Sequence, residues 1–258
     1  MDNQYSSRLL SEDVTPESLQ KLEYKTTRIE KDPQSDDERV KKLEKEYEYF
    51  SKKNDQLKAF GCLEKILLLQ PNSYFGFLRE GDIFSDFKRY DEAQKSYKKC
   101  IEIDEQDGRA QNNMGNVFQK LGQHKKAIKC YSESTKHDPT DPIGFVNQGN
   151  SLNDLGQHKK AIKCYSESNK HDPTSPIGWG NLGDTLHELG QREKAIECYN
   201  KAIKRNEKWI NALYGKAWAL SSLQQHKEAI KCFIKTIKID KFKSITDAHL
   251  INKAKKIQ

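Results

Sequence analysis

Apolar residues return at helical spacing on both sides of a short polar break: Leu182, Leu186 and Leu189, then Ala195, Ile196 and Tyr199. The spacing predicts two helices joined by a tight turn, with Gly190 at the turn. The same figure recurs along the chain. Gly122 to Gly144 reads GQHKKAIKCYSESTKHDPTDPIG, and Gly156 to Gly178 reads GQHKKAIKCYSESNKHDPTSPIG, 34 residues later with two differences. A fixed period of this size means stacked helix pairs rather than one globular core. Such a stack presents an extended surface, not a catalytic cleft.

In this register six repeats begin at Val40, Tyr74, Gly108, Pro142, Pro176 and Ile210, and the last ends at Lys243. The eighth residue is Tyr47, Gly81, Gly115, Gly149, Gly183 and Ala217, and the twentieth is Ala59, Ala93, Ala127, Ala161, Ala195 and Ala229. The twenty-fourth is Leu63, Tyr97, Tyr131, Tyr165, Tyr199 and Phe233. Small residues at eight and twenty are expected where two helices cross closely, with the large residue at twenty-four filling the space beside them. Gly122, Gly156 and Gly190 supply the turn, and Pro71, Pro139 and Pro173 end second helices.

These residues resemble the tetratricopeptide repeat (TPR) family, whose pattern has Leu-Gly at seven and eight, Ala at twenty and an aromatic at twenty-four. Repeat 176–209 carries Trp179, Leu182, Gly183, Leu186, Ala195, Tyr199 and Ala202. Residues 74–243 match well, whereas repeat 40–73 has Glu46 and Tyr47 in place of Leu-Gly. The final proline of the pattern is replaced by Glu105, Glu207 and Lys241 in three repeats. The resemblance implies an all-α, right-handed α-solenoid of about six helix-turn-helix units. It also implies a non-catalytic adaptor whose first helices line a concave groove while the second helices face outward.

The ends read differently. Residues 1–39 are expected to be a flexible segment with one or two polar helices, and Ser35-Asp36-Asp37-Glu38 fits a capping box. Residues 244–258 carry Ala248, Ile251 and Ala254 on one stripe and are expected to form a C-terminal capping helix. The chain is expected to be one quasi-linear domain. Its 34% apolar and 32% charged residues suit a thin, two-helix-deep array. No apolar run approaches membrane-helix length and the N-terminus lacks the apolar stretch of a secretory signal, so no membrane insertion and an intracellular, cytoplasmic location are expected.

Cys62, Cys130, Cys164, Cys198 and Cys232 share one repeat position, which spaces them too widely for disulfides. They read as reduced packing residues, and no CxxC cluster suggests a metal. Residues 1–39 hold ten acidic and six basic side chains, a net −4, which leaves +11 on the rest of a chain of net +7. Lys125, Lys126, Lys129, Lys159, Lys160 and Lys163 crowd the second helices without interleaved aromatics. That reads as a solvated face and argues against nucleic acid. No phosphate loop, zinc-protease motif or nucleophile–base set is present, so no enzyme, cofactor or catalytic residue is expected.

The candidate site lies on the first helices. The sixth position reads Arg79, Asn113, Asn147 and Asn181, and the ninth reads Asp82, Asn116, Asn150 and Asp184. Residues three apart share a helix face, and an asparagine offers both a donor and an acceptor. A row of them can hold the backbone of an extended peptide, and the N-x-G-[ND] runs resemble the Asn ladders of peptide-binding helical repeats. Tyr214 and Trp218 would add an aromatic anchor at the end of the groove unless residues 244–258 cover them. The TPR carboxylate clamp for chaperone tails is not supported, because the fifth position carries no lysine: Glu44, Leu78, Asn112, Val146, Gly180 and Tyr214. The leading expectation is therefore an adaptor for a protein or an extended peptide segment. The alternatives are a structural subunit of a large assembly, such as ciliary or transport machinery, and a basic RNA-binding repeat.

Overall fold

The computed structural model describes residues 35–239. They form twelve α-helices in six consecutive pairs: α1 (Asp36–Lys52) with α2 (Gln56–Leu69), α3 (Tyr74–Asp86) with α4 (Tyr90–Ile103), α5 (Gly108–Lys120) with α6 (His124–His137), α7 (Pro142–Asp154) with α8 (His158–His171), α9 (Pro176–Glu188) with α10 (Arg192–Arg205), and α11 (Ile210–Ser222) with α12 (His226–Ile239). The fold is an all-α helical repeat, as the 34-residue period predicts. Packing divides the chain into two compact units at Val117/Phe118, within α5. Helix pairs in such an array pack only on their neighbours, so compact units form along it. The expected N-terminal helix before residue 35 and the capping helix at 244–258 lie outside the described residues.

Local chemistry sets the helix ends. Ser35 accepts from the Glu38 backbone N–H at 3.3 Å, so the expected cap opens α1 at Asp36, four residues ahead of the repeat boundary. Pro142 and Pro176 occupy the first turns of α7 and α9, where a missing N–H costs nothing. The fifteenth residue of every repeat is left-handed. Gly122, Gly156 and Gly190 have φ of 69°, 70° and 74°, and Asn54, Lys88 and Gln224 adopt φ 60° without being glycine. A side chain in that region costs about 1–2 kcal/mol. Lys88→Gly and Gln224→Gly are each expected to raise stability by up to about 1 kcal/mol, with Gly156→Ala lowering it by about as much. Nothing lies within 4 Å of a Cβ built on Gly156, so the backbone alone sets that effect, and urea-denaturation midpoints would measure all three.

The helix crossings follow the small-and-large pattern. A Cβ on Gly81, Gly149 or Gly183 would sit 2.5, 2.5 or 2.7 Å from the ring of Tyr97, Tyr165 or Tyr199 of the same repeat. Those tyrosines and the alanines at position twenty are buried. In the first repeat the sizes are exchanged. Tyr47 replaces the glycine, Leu63 replaces the tyrosine, and both are buried. In the second unit α7, α9 and α11 lie side by side, each packed on its own second helix, and α8 and α10 pack on the first helix of the following repeat.

Candidate functional site

The ninth-position side chains collect hydrogen bonds from two directions. On the first unit, Asp82 Oδ1 accepts from the Tyr97 hydroxyl at 2.8 Å and from Asn113 Nδ2 at 2.9 Å, and Arg79 donates to Asp82 Oδ2 at 3.0 Å. On the second unit, Asn150 Oδ1 accepts from the Tyr165 hydroxyl at 2.9 Å and from Asn181 Nδ2 at 2.8 Å. One repeat further, Asp184 Oδ1 accepts from Tyr199 at 2.7 Å. No asparagine follows there, because the next sixth position is Gly215. A Cβ on Gly215 would lie 2.6 Å from Tyr199 Cζ.

Each link therefore joins the second helix of one repeat, the first helix of that repeat and, where an asparagine follows, the first helix of the next. Burial holds Tyr97, Tyr165 and Tyr199 far above the ordinary phenol range, so they remain donors. Desolvation also raises the Asp82 carboxyl, against the opposing hydrogen bonds from Tyr97, Arg79 and Asn113. Sequence reading placed the asparagines on one face but missed the tyrosines as their polar partners. The available signal was the constant separation of 15 residues between the ninth-position acceptor and its tyrosine.

The predicted site residues fall as follows. Arg79, Asn113 and Asn116 stand on α3 and α5 of the first unit, half-buried, with Arg79 and Asn113 both bound to Asp82. Asn147, Asn150, Asn181 and Asp184 stand on α7 and α9 of the second unit. Tyr165 and Asn181 take both lone pairs of the Asn150 carbonyl, which leaves its NH₂ group to donate. Asn181 spends one donor on Asn150 and keeps its carbonyl oxygen as an acceptor. Tyr214 and Trp218 meet edge to face at 6.0 Å, and Phe233 lies 5.8 and 6.0 Å from them. Tyr214 is 37% exposed and Trp218 is half-buried.

The cysteines are free thiols. Burial pushes Cys100 up to about 12 and Cys130 and Cys164 up to about 11, so these sulfurs are poor nucleophiles near neutral pH. Among the described residues no group of three or more His, Cys, Asp or Glu side chains could hold a metal ion. Among them, too, no helix is long and apolar enough to cross a membrane.

Paired helices with glycine–tyrosine crossings and a repeated polar link define a helical-repeat protein. Tetratricopeptide repeat models match residues 108–141, 176–208 and 210–242, and a further TPR repeat model matches 81–122 and 149–190. The chain belongs to the tetratricopeptide repeat family. A TPR repeat-containing protein of Schizosaccharomyces pombe is 30% identical over 66 residues, 26% of this chain and 8% of that protein. The chain thus spans under a tenth of the length of that relative.

Among solved structures, Pseudomonas aeruginosa pilF has a TM-score of 0.72 at 15% identity, covering 85% of this chain and 99% of that one. PilW, a type IV pilus biogenesis factor, has a TM-score of 0.72 at 18% identity, over 85% and 99% of the two chains. YrrB, a TPR protein with an unusual peptide-binding site, has a TM-score of 0.58 at 16% identity, over 74% and 97%. These are likenesses of fold. The fold is that of protein–protein interaction scaffolds.

Proposed function

We propose that the chain is a non-catalytic adaptor that holds an extended segment of a partner protein along the first helices of its second unit. The carrying observation is the Asn150–Asn181 hydrogen bond at 2.8 Å. It fixes two amides so that one presents an NH₂ donor and the other a carbonyl acceptor. A peptide group offers the complementary acceptor and donor, so this pair suits recognition of backbone with little regard for side chains. Asn147 and Asp184 extend the polar row on the same two helices. Tyr214 and Trp218, on the neighbouring first helix α11, supply an aromatic anchor. The peptide-binding site named for YrrB, of the same fold, supports the reading.

The test is a selection of phage-displayed dodecamer peptides against the full chain, followed by calorimetry. Alternate N-methylation of a selected peptide and the Asn147→Ala/Asn181→Ala variant are each expected to weaken binding about tenfold or more, near 1 kcal/mol for each lost hydrogen bond. Circular dichroism would confirm that the variant is folded. Binders indifferent to both changes would refute the asparagine mechanism.

A further inference from the structure

An open cleft of about 540 Å³ lies between the second helices α6 and α8, over α7. Its floor is aliphatic, formed by Ile128, Leu152 and Leu155, and its rim carries Lys125, Lys160 and Lys163. The three lysines are exposed. The acids along the same helices are already engaged, Glu133 by Lys136 at 3.5 Å and Glu167 by Lys170 at 3.3 Å. Gln148 holds the wall: its Nε2 donates to Ser132 Oγ at 2.6 Å, and its Oε1 accepts from the Cys164 thiol at 3.5 Å.

The neighbouring repeat provides a comparison inside the same chain. Thirty-four residues on, Gln148 becomes Leu182 and Lys163 becomes Glu197, while Lys125 and Lys160 become Lys159 and Lys194. Leu182 is buried, and Glu197 would offset a lysine charge. Three lysines round an aliphatic floor are therefore not repeated at the next position of the second unit, although α8 stands there in the place that its near copy α6 takes here.

We propose that this cleft binds an acidic peptide segment bearing an aliphatic or aromatic side chain. That side chain would enter over Ile128, Leu152 and Leu155, while flanking carboxylates meet Lys125, Lys160 and Lys163. Charge complementarity selects an acidic ligand. No aromatic ring lines the cleft to stack a base, which favours a peptide over a nucleic acid. The cleft shares no residue with the asparagine row, so the two sites can fail independently.

The probe is a fluorescein-labelled nonapeptide with three glutamates on each side of a Leu-Phe-Leu core, titrated with the full chain and read by anisotropy. Binding is expected to weaken with salt and to fall about tenfold in a peptide whose core is three alanines. The Gln148→Leu/Lys163→Glu variant gives the cleft the residues of the next repeat, which fold in that context. It is expected to weaken binding about tenfold or more. Lys125→Gln/Lys160→Gln is expected to do the same, with Asn147→Ala/Asn181→Ala leaving the affinity unchanged. Absence of binding, equal affinity for the alanine-core peptide, or equal affinity in the cleft variants would overturn the proposal. So would tighter binding of an oligouridylate of matched charge that the same variants abolish, which would assign the cleft to nucleic acid.

Discussion

Tyr199→Ala is expected to lower the unfolding free energy by about 3–5 kcal/mol, the range for removing a buried aromatic side chain. The ring is 1% exposed and lies so close to Gly183 and Gly215 that a Cβ on either would fall within 2.7 Å of it. Two first helices, α9 and α11, therefore close on one side chain, and its loss opens a cavity that both would border. Tyr199→Phe keeps the ring and removes only the hydroxyl that donates to Asp184 at 2.7 Å. That variant should lose about 1–2 kcal/mol, because Asp184 is exposed and water can replace the donor. Urea denaturation followed by circular dichroism separates the two. A lower slope for the alanine variant would show the array no longer unfolding as one cooperative unit. Equal losses for both variants would mean that the hydroxyl, not the ring, holds the crossing.

Asn169→Thr is expected to stabilise the chain by about 1–3 kcal/mol, the cost of leaving a buried polar group unsatisfied. Asn169 is 6% exposed, and neither its Oδ1 nor its Nδ2 has a hydrogen-bond partner. The duplicated segment supplies the control. The corresponding residue is Thr135, whose hydroxyl donates to the Tyr131 carbonyl at 3.0 Å. The glycines that face these residues, Gly144 and Gly178, also correspond, so a threonine fits the local geometry. Asparagine and threonine have similar helix propensities, which leaves polar satisfaction as the main difference. A rise in the urea midpoint checks the prediction. An unchanged or lower midpoint would mean that the Asn169 amide contributes favourably where it stands.

The second difference between the copies has a visible structural effect. Asp141 caps α7 with two hydrogen bonds, to Ile143 and Gly144 N–H at 2.9 and 3.0 Å, whereas Ser175 caps α9 with one, to Ile177 N–H at 3.3 Å. Both residues occupy the N-cap, so the sequence difference changes the strength of a helix start and not its place.

The repeat was legible because its determinants are local or strictly periodic. The turn at Gly156, the proline in the first turn of α7 and the glycine opposite each tyrosine need only their own 34-residue window to be recognised. The first repeat was harder to read, since Tyr47 and Leu63 fill the same volume as a glycine and a tyrosine with the sizes exchanged between helices. Lys88 and Gln224 carry no sign of a left-handed backbone. They adopt it because the helix pairs on either side dictate where the chain must turn.

The candidate site divides along the same line. The sequence by itself determined the period, the helix pairs, the family and the face on which Asn113, Asn147 and Asn181 fall, because side-chain direction follows from position on a helix. It could not determine which polar atoms on that face are already engaged. The links from Asn113 to Asp82 and from Asn181 to Asn150 cross 31 residues, and Tyr97 and Tyr165 reach the same acceptors from a second helix. The cleft beneath Lys125, Lys160 and Lys163 depends likewise on the spacing of α6 and α8 over α7. Hydrogen bonds and clefts of this kind are set by distances between helices, and only tertiary packing fixes those distances.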